Sequence, residues 1–173
     1  LLIAHPGLLD PNFRRSVLII SQNDPAEGSF GLILNRPSGR VVSDFLPDSD
    51  EIGALATLPV YLGGPVGRDK LAFAYFKWQK SSHSLVCRHH LSIEEAVAKL
   101  DDDGAIVRPF IGYAGWGKGQ LEGELAQNAW LLKSPEPDLL DLDNVERLWP
   151  ELISTFGPKF RLIADAPENP SMN

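Results

Sequence analysis

The residues with the richest chemical potential fall between Gly112 and Trp130. Nineteen positions there hold five glycines, two tryptophans, two carboxylates and three amides. Gly112 and Gly117-Lys118 have the first part of the spacing of a nucleotide-binding loop. Such loops hold phosphate because backbone N–H groups and the start of the next helix attract anions. Three features oppose that chemistry. Gly119 stands where a magnesium-binding hydroxyl is needed. Glu122 stands where a dinucleotide fingerprint running from Gly117 requires glycine or alanine. Glu122 and Glu124 also sit in the first turns of the expected helix, where they favour the dipole and repel an anion. The segment reads as a constrained structural turn. Glu122 and Glu124 do not face each other on a helix, so they are not a paired acid and base.

Other side chains carry weaker signals. On a strand Cys87 and His89 share a face about 6–7 Å apart, a spacing that could serve a metal. His83 has the same parity but lies about 13 Å from Cys87, and His90 points the other way, so no third ligand is evident. Cys87 beside Arg88 could be an activated thiolate, but nothing nearby supplies an oxyanion hole, and a small buried residue explains it. His5 could act as a general base. No serine in a Gly-x-Ser-x-Gly elbow would use it, so it reads as a histidine fixed at a strand end. The remaining possibility is a ligand-binding cleft. Asn35, Arg36 and Gly64 would join Tyr113, Trp116 and Gln120 around it. Arg36 would recognise a carboxylate or phosphate, and Trp116 would provide a stacking wall. Turn and core roles explain the same residues without a ligand.

Strands and helices must position these groups. Residues 105–111 are apolar and β-branched and predict a strand, with Pro109 indicating an edge or a bulge. The glycines from 112 to 119 predict a turn, and 120–127 a short helix with Leu121 and Leu125 on one face. Gly123 weakens that helix. Asn128 suits a left-handed cap, and Trp130-Leu131-Leu132 a strand. Residues 16–20 and 30–34 predict a hairpin across a polar loop. Leu71 to Trp78 is apolar on both faces and predicts a buried strand, with 84–88 as its partner. Ser92-Ile93-Glu94-Glu95 is a capping box whose helix presents Ile93, Ala96, Val97 and Leu100 inward. Asp101 to Gly104 stops it. Asn144 to Phe156 predicts a second amphipathic helix, kinked or split at Pro150 and ended by Gly157-Pro158.

Four blocks in order resemble the YqgE/AlgH family of bacterial proteins. They are Ile3-Ala4-His5-Pro6 with Asp10-Pro11-Asn12-Phe13, Gly31-Leu32-Ile33-Leu34-Asn35-Arg36-Pro37, Gly63-Gly64-Pro65-Val66, and Gly112-Tyr113-Ala114-Gly115-Trp116 with Gly119-Gln120-Leu121-Glu122 and Glu124-Leu125. They cover about residues 1–132, and no matching motif follows Trp149. The resemblance implies an α+β fold in a single domain over 1–173. Its mixed sheet would be strongly bent, like a partial barrel, and flanked by helices, with a loose tail at 168–173. Members carry the label of transcriptional regulators, which supplies no mechanism. No catalytic residues, cofactor or metal come with it.

Composition sets further limits. The 173 residues suit one domain with an ordinary core. No apolar run is long enough to span a bilayer. A single cysteine permits no internal disulfide and suits the cytoplasm. The sequence opens at Leu1 without methionine, which implies missing residues before it; Leu1 to Ala4 reads as a strand, not a signal peptide. The net charge of −7 argues against direct nucleic-acid binding. Lys77 to His90, the densest basic stretch, is thin for a duplex. These features together favour a regulatory protein acting through a protein partner. The alternative is a small-molecule-binding protein or an enzyme using a cleft near Arg36 and Trp116.

Overall fold

The computed structural model describes residues 1–24, 26–47, 50–140 and 145–164. The expected tail at 168–173 and the expected helix start at Asn144 lie outside these residues. Strands β1 (Leu2–Ala4), β2 (Val17–Asp24), β3 (Gly28–Ile33), β4 (Pro37–Val41) and β5 (Pro59–Leu62) come first. Then follow β6 (Val66–Gln79), β7 (Ser84–Leu91), β8 (Ala105–Trp116) and β9 (Trp130–Leu132). Helices α1 (Ile93–Ala98), α2 (Gln120–Ala126), α3 (Leu148–Ser154) and α4 (Pro158–Ala164) flank the sheet. The architecture is α+β, as expected, with one mixed, open, strongly bent sheet of nine strands.

β8 is the spine. It pairs antiparallel with β6 from Lys77↔Ala105 to Val66↔Tyr113 and parallel with β5 at Phe110 and Ile111. Further along it pairs antiparallel with β3 at residues 114–116. Pro109 precedes the β5 pairing, where its missing N–H is harmless. The glycine turn starts later than expected, because β8 continues through Gly112 and Gly115 to Trp116. Gly112 has φ +69°, and a Cβ there would lie 2.5 Å from the Gly64 carbonyl oxygen and 2.8 Å from that of Val66. A Cβ on Gly63 would in turn overlap the Gly112 carbonyl. Glycine at these positions lets two backbones cross at contact.

That crossing also reverses the facing of β8. Phe110 and Tyr113 contact the same core cluster, although alternation would send them to opposite faces. One cluster, with Ile19, Leu32, Leu34, Tyr61, Ala74, Phe76 and Phe110, lies in the concave bend. A second, with Leu18, Ile33, Trp116, Trp130, Trp149 and Ile153, lies behind β1 to β3. A third, with Phe73, Tyr75, Val107 and Ile111, lies behind β6 and β8. Neighbours on β6 alternate between the concave and third clusters, so the strand is buried on both faces, as its sequence implies.

Local signals hold in most places. Ser92 Oγ accepts from Glu95 N at 3.1 Å, and Glu95 Oε2 accepts from Ser92 N at 2.8 Å, completing the capping box. Ala96 is buried under α1, but Val97 is 37% exposed, against expectation, because the helix is only six residues long and rests on one turn. Asn128 has φ 54°, the left-handed cap expected of it. Pro150 does not kink a helix. A 3₁₀ turn at Val145–Arg147 precedes α3, which puts Pro150 in the first α-helical turn, where no intrahelical N–H bond is lost. Gly157, at φ +118°, separates α3 from α4, and Pro158 opens α4.

Gly112→Ala should lower unfolding free energy by about 3 kcal/mol, combining left-handed strain with overlap. Gly123→Ala, with open space around its Cβ in α2, should raise it by about 0.5–1 kcal/mol. Urea unfolding followed by circular dichroism checks both.

Candidate functional site

The concave face is not filled at one end. A cavity of about 400 Å³ opens there, walled by Phe30 and Leu32 from β3, Phe110 and Tyr113 from β8, and Gly67 and residues 69–74 of β6. His89 and His90 of β7 complete it. Its floor is apolar: Leu32, Ala74 and Phe110 are buried. Phe30 stacks between His89 (4.4 Å, 20°) and Tyr113 (4.8 Å, 27°). His90 lies 4.8 Å from His89 and 5.5 Å from Phe30.

A β-bulge brings the two histidines together. The β6–β7 register shifts between Phe73 and Tyr75, opposite Leu91 and Arg88, and His90 has φ 59°. Alternation alone sends His89 and His90 to opposite faces; the extra residue on β7 turns His90 back to the same mouth. Burial, and secondarily the charge of His90, hold His89 below the usual imidazole value. Cys87, expected to share a face with His89, packs against the concave cluster. Burial pushes its thiol up to about 12, so it is not an activated thiolate. Among the described residues no three metal-ligating side chains gather.

The six residues expected around one cleft are dispersed. Only Tyr113 lines the cavity. Asn35 clamps a loop: its Nδ2 donates to Arg15 O at 2.9 Å, and its Oδ1 accepts from Val17 N at 2.8 Å. Arg36 donates to Asn12 O at 2.6 Å and Arg14 O at 2.9 Å, bracing the same loop beside a separate depression. Gly64 belongs to the backbone crossing. Trp116 is buried, with its Nε1 donating to Glu124 Oε2 at 2.9 Å. Gln120 donates to Glu124 Oε1 at 3.0 Å and accepts from Gly117 N at 3.1 Å. Arg36 and Trp116 thus do not meet at one opening. His5 accepts from Gly7 N and packs edge-on against Phe160, as a strand-end histidine should.

An AlgH-like family model matches residues 1–161. The chain belongs to that family. It is 36% identical over 182 residues to a UPF0301 protein of Streptomyces coelicolor, covering all of this chain and 93% of the relative. A UPF0301 protein of Chlorobium luteolum is 33% identical over 180 residues, with the same coverage. The solution structure of the AlgH protein from Pseudomonas aeruginosa superposes with a TM-score of 0.63 at 30% identity, covering 97% of this chain and 93% of that one. A Corynebacterium diphtheriae crystal structure gives 0.72 at 19% identity, covering 95% and 90%, a likeness of fold alone. No helix among the described residues of this AlgH-like chain is long and apolar enough to cross a membrane.

Two polar features of the AlgH-like chain escaped the sequence reading. Glu124 Oε2 accepts from Trp130 Nε1 at 2.7 Å as well as from Trp116, so one carboxylate satisfies two buried indoles. Arg108 is buried on the concave side. Its Nη1 donates to Leu34 O at 3.2 Å, its guanidinium lies 4.5 Å over the Tyr61 ring, and Nη2 has no hydrogen-bond partner among the described residues. Burial lowers its pKa to about 10, which leaves it charged at neutral pH. A lone arginine in the apolar run 105–111 was the available signal. Asp102 is a structural anchor: it accepts from Tyr75 at 2.8 Å and Lys77 at 2.5 Å. These bonds hold its carboxyl below the ordinary carboxylate value and engage one of the few basic groups of the 77–90 stretch.

Glu124→Ala should cost about 2–4 kcal/mol by stranding two buried donors, while Glu124→Gln, which keeps an acceptor, should cost about 1 kcal/mol. Chemical denaturation followed by tryptophan fluorescence separates them. Cys87 should react with a thiol reagent at pH 8 about 1000-fold more slowly than free cysteine, because its thiolate fraction is smaller by that order. Native and urea-unfolded protein compared by mass spectrometry give the test.

Proposed function

We propose that this protein is a small-molecule-binding protein with a regulatory role, and that its ligand enters the cavity between β3, β6, β7 and β8. The supporting observation is the wall itself. It is concave and mostly apolar, with a few polar groups at the mouth, the usual makeup of a ligand site. This keeps Tyr113 from the expected site and replaces the cleft near Arg36 and Trp116.

A regulator acting through a protein partner is the second reading. The net charge of −7 supports it, since an acidic surface suits a protein or a small ligand better than the phosphates of a duplex. The two readings are compatible if the partner senses whether the cavity is occupied.

The test is a fragment titration followed by two-dimensional NMR. Aromatic fragments should shift the amides of Phe30, His89, His90 and Tyr113. Ala72 is half-buried in the cavity wall. Ala72→Phe should fill the space and abolish those shifts while the protein stays folded. Shifts that cluster elsewhere, or that persist unchanged in Ala72→Phe, would overturn the assignment.

A further inference from the structure

We infer that this cavity takes a planar aromatic carboxylate, with its ring against the apolar wall and its carboxylate between His89 and His90. The inference rests on the ligand-site reading above and names the ligand's chemistry. Shape supplies the first reason. Phe30 is stacked face to face between His89 and Tyr113, so the three rings form a pile along one wall, and Leu32 and Phe110 form the floor. A pile of rings over an apolar floor favours a flat aromatic body, which can meet ring edges and faces in the offset or edge-on arrangements that aromatic pairs prefer.

Strain supplies the second reason. A non-glycine residue at positive φ is strained, and such outliers are enriched at functional sites. His90 carries that strain, and the result is a second imidazole at the same mouth.

Charge supplies the third reason. The titratable groups lining the cavity are Asp69 and Lys70 from β6, His89 and His90 from β7, and Tyr113 from β8. Asp69 and Lys70 offset each other, which leaves the histidines to set the sign of the mouth. Two imidazoles this close oppose a shared positive charge. A carboxylate between them removes the opposition and forms charge-assisted hydrogen bonds to both. Binding then draws a proton onto His89, whose cation burial and His90 otherwise disfavour. Affinity therefore falls as pH rises.

The probes are 2-naphthoate, 2-naphthamide and acetate, titrated into the full protein by calorimetry in two buffers of different ionisation enthalpy. Binding is located by NMR shifts at Phe30 and Tyr113. Naphthoate should bind about tenfold more tightly than naphthamide. It should take up a proton and weaken by up to about tenfold per unit between pH 6 and 8. Acetate should not bind. His90→Asn tolerates the positive φ and so keeps the fold; it should erase most of the acid-over-amide preference. Equal binding of acid and amide in the cavity would overturn the carboxylate inference and leave the ligand site standing. Binding of neither probe at these residues would overturn the inference. The fragment screen with Ala72→Phe then decides the ligand-site reading separately.

Discussion

Two backbone segments, Gly63-Gly64 and Gly112-Tyr113, pass each other at a distance that no Cβ permits. This steric constraint organises the sheet. Because Gly112 adopts a left-handed conformation inside β8, the strand serves β5 and β6 at one end and β3 at the other. The bend it imposes creates a concave face, and the concave face creates both the central core cluster and the cavity at its end. The space that could hold a ligand is thus a by-product of how two glycine-containing segments are allowed to cross.

Polar groups inside this frame are used sparingly and with several partners each. Glu124 holds two indoles and a glutamine. Asn35 bonds through both ends of its amide, and Arg36 through two nitrogens, to a single loop between β1 and β2. Arg108 reaches from β8 to the carbonyl just past β3 and rests on Tyr61. A buried group of this kind stabilises little by its mere presence but costs much when its partner is lost. The same residue types that suggest ligand recognition are also those that hold loops without secondary structure.

Features set by a few neighbouring residues were legible in the sequence. The capping box at Ser92, the left-handed Asn128 and the hairpin of β2 and β3 all depend on local chemistry. So does the stop at Gly157-Pro158. The bend of the sheet came from the family resemblance rather than from periodicity. What stayed hidden depends on distant pairing. Whether Gly112 ends a strand or bends one is decided by Gly64 and Val66, far away in sequence. Whether His90 faces His89 is decided by a register shift against β6. The aromatic ring of Phe30 joins the site only because β3 and β7 approach the same concavity. Tyr113 was recognised as a candidate; Phe30, His89 and His90 as a set were not, since parity along one strand cannot foresee a bulge.

The order in which strands meet has a consequence for synthesis. β1 lies between β2 and β9, and the Leu1 backbone nitrogen donates to the Lys133 carbonyl 132 residues later. While the chain emerges from a ribosome, β1 can find β2 at once but must wait for β9 for on the order of ten seconds at ordinary elongation rates. During that interval the apolar edge of β1 has no partner. An unpaired edge of this kind invites pairing with another nascent chain, so the least protected moment in the life of this protein falls before β9 has been made.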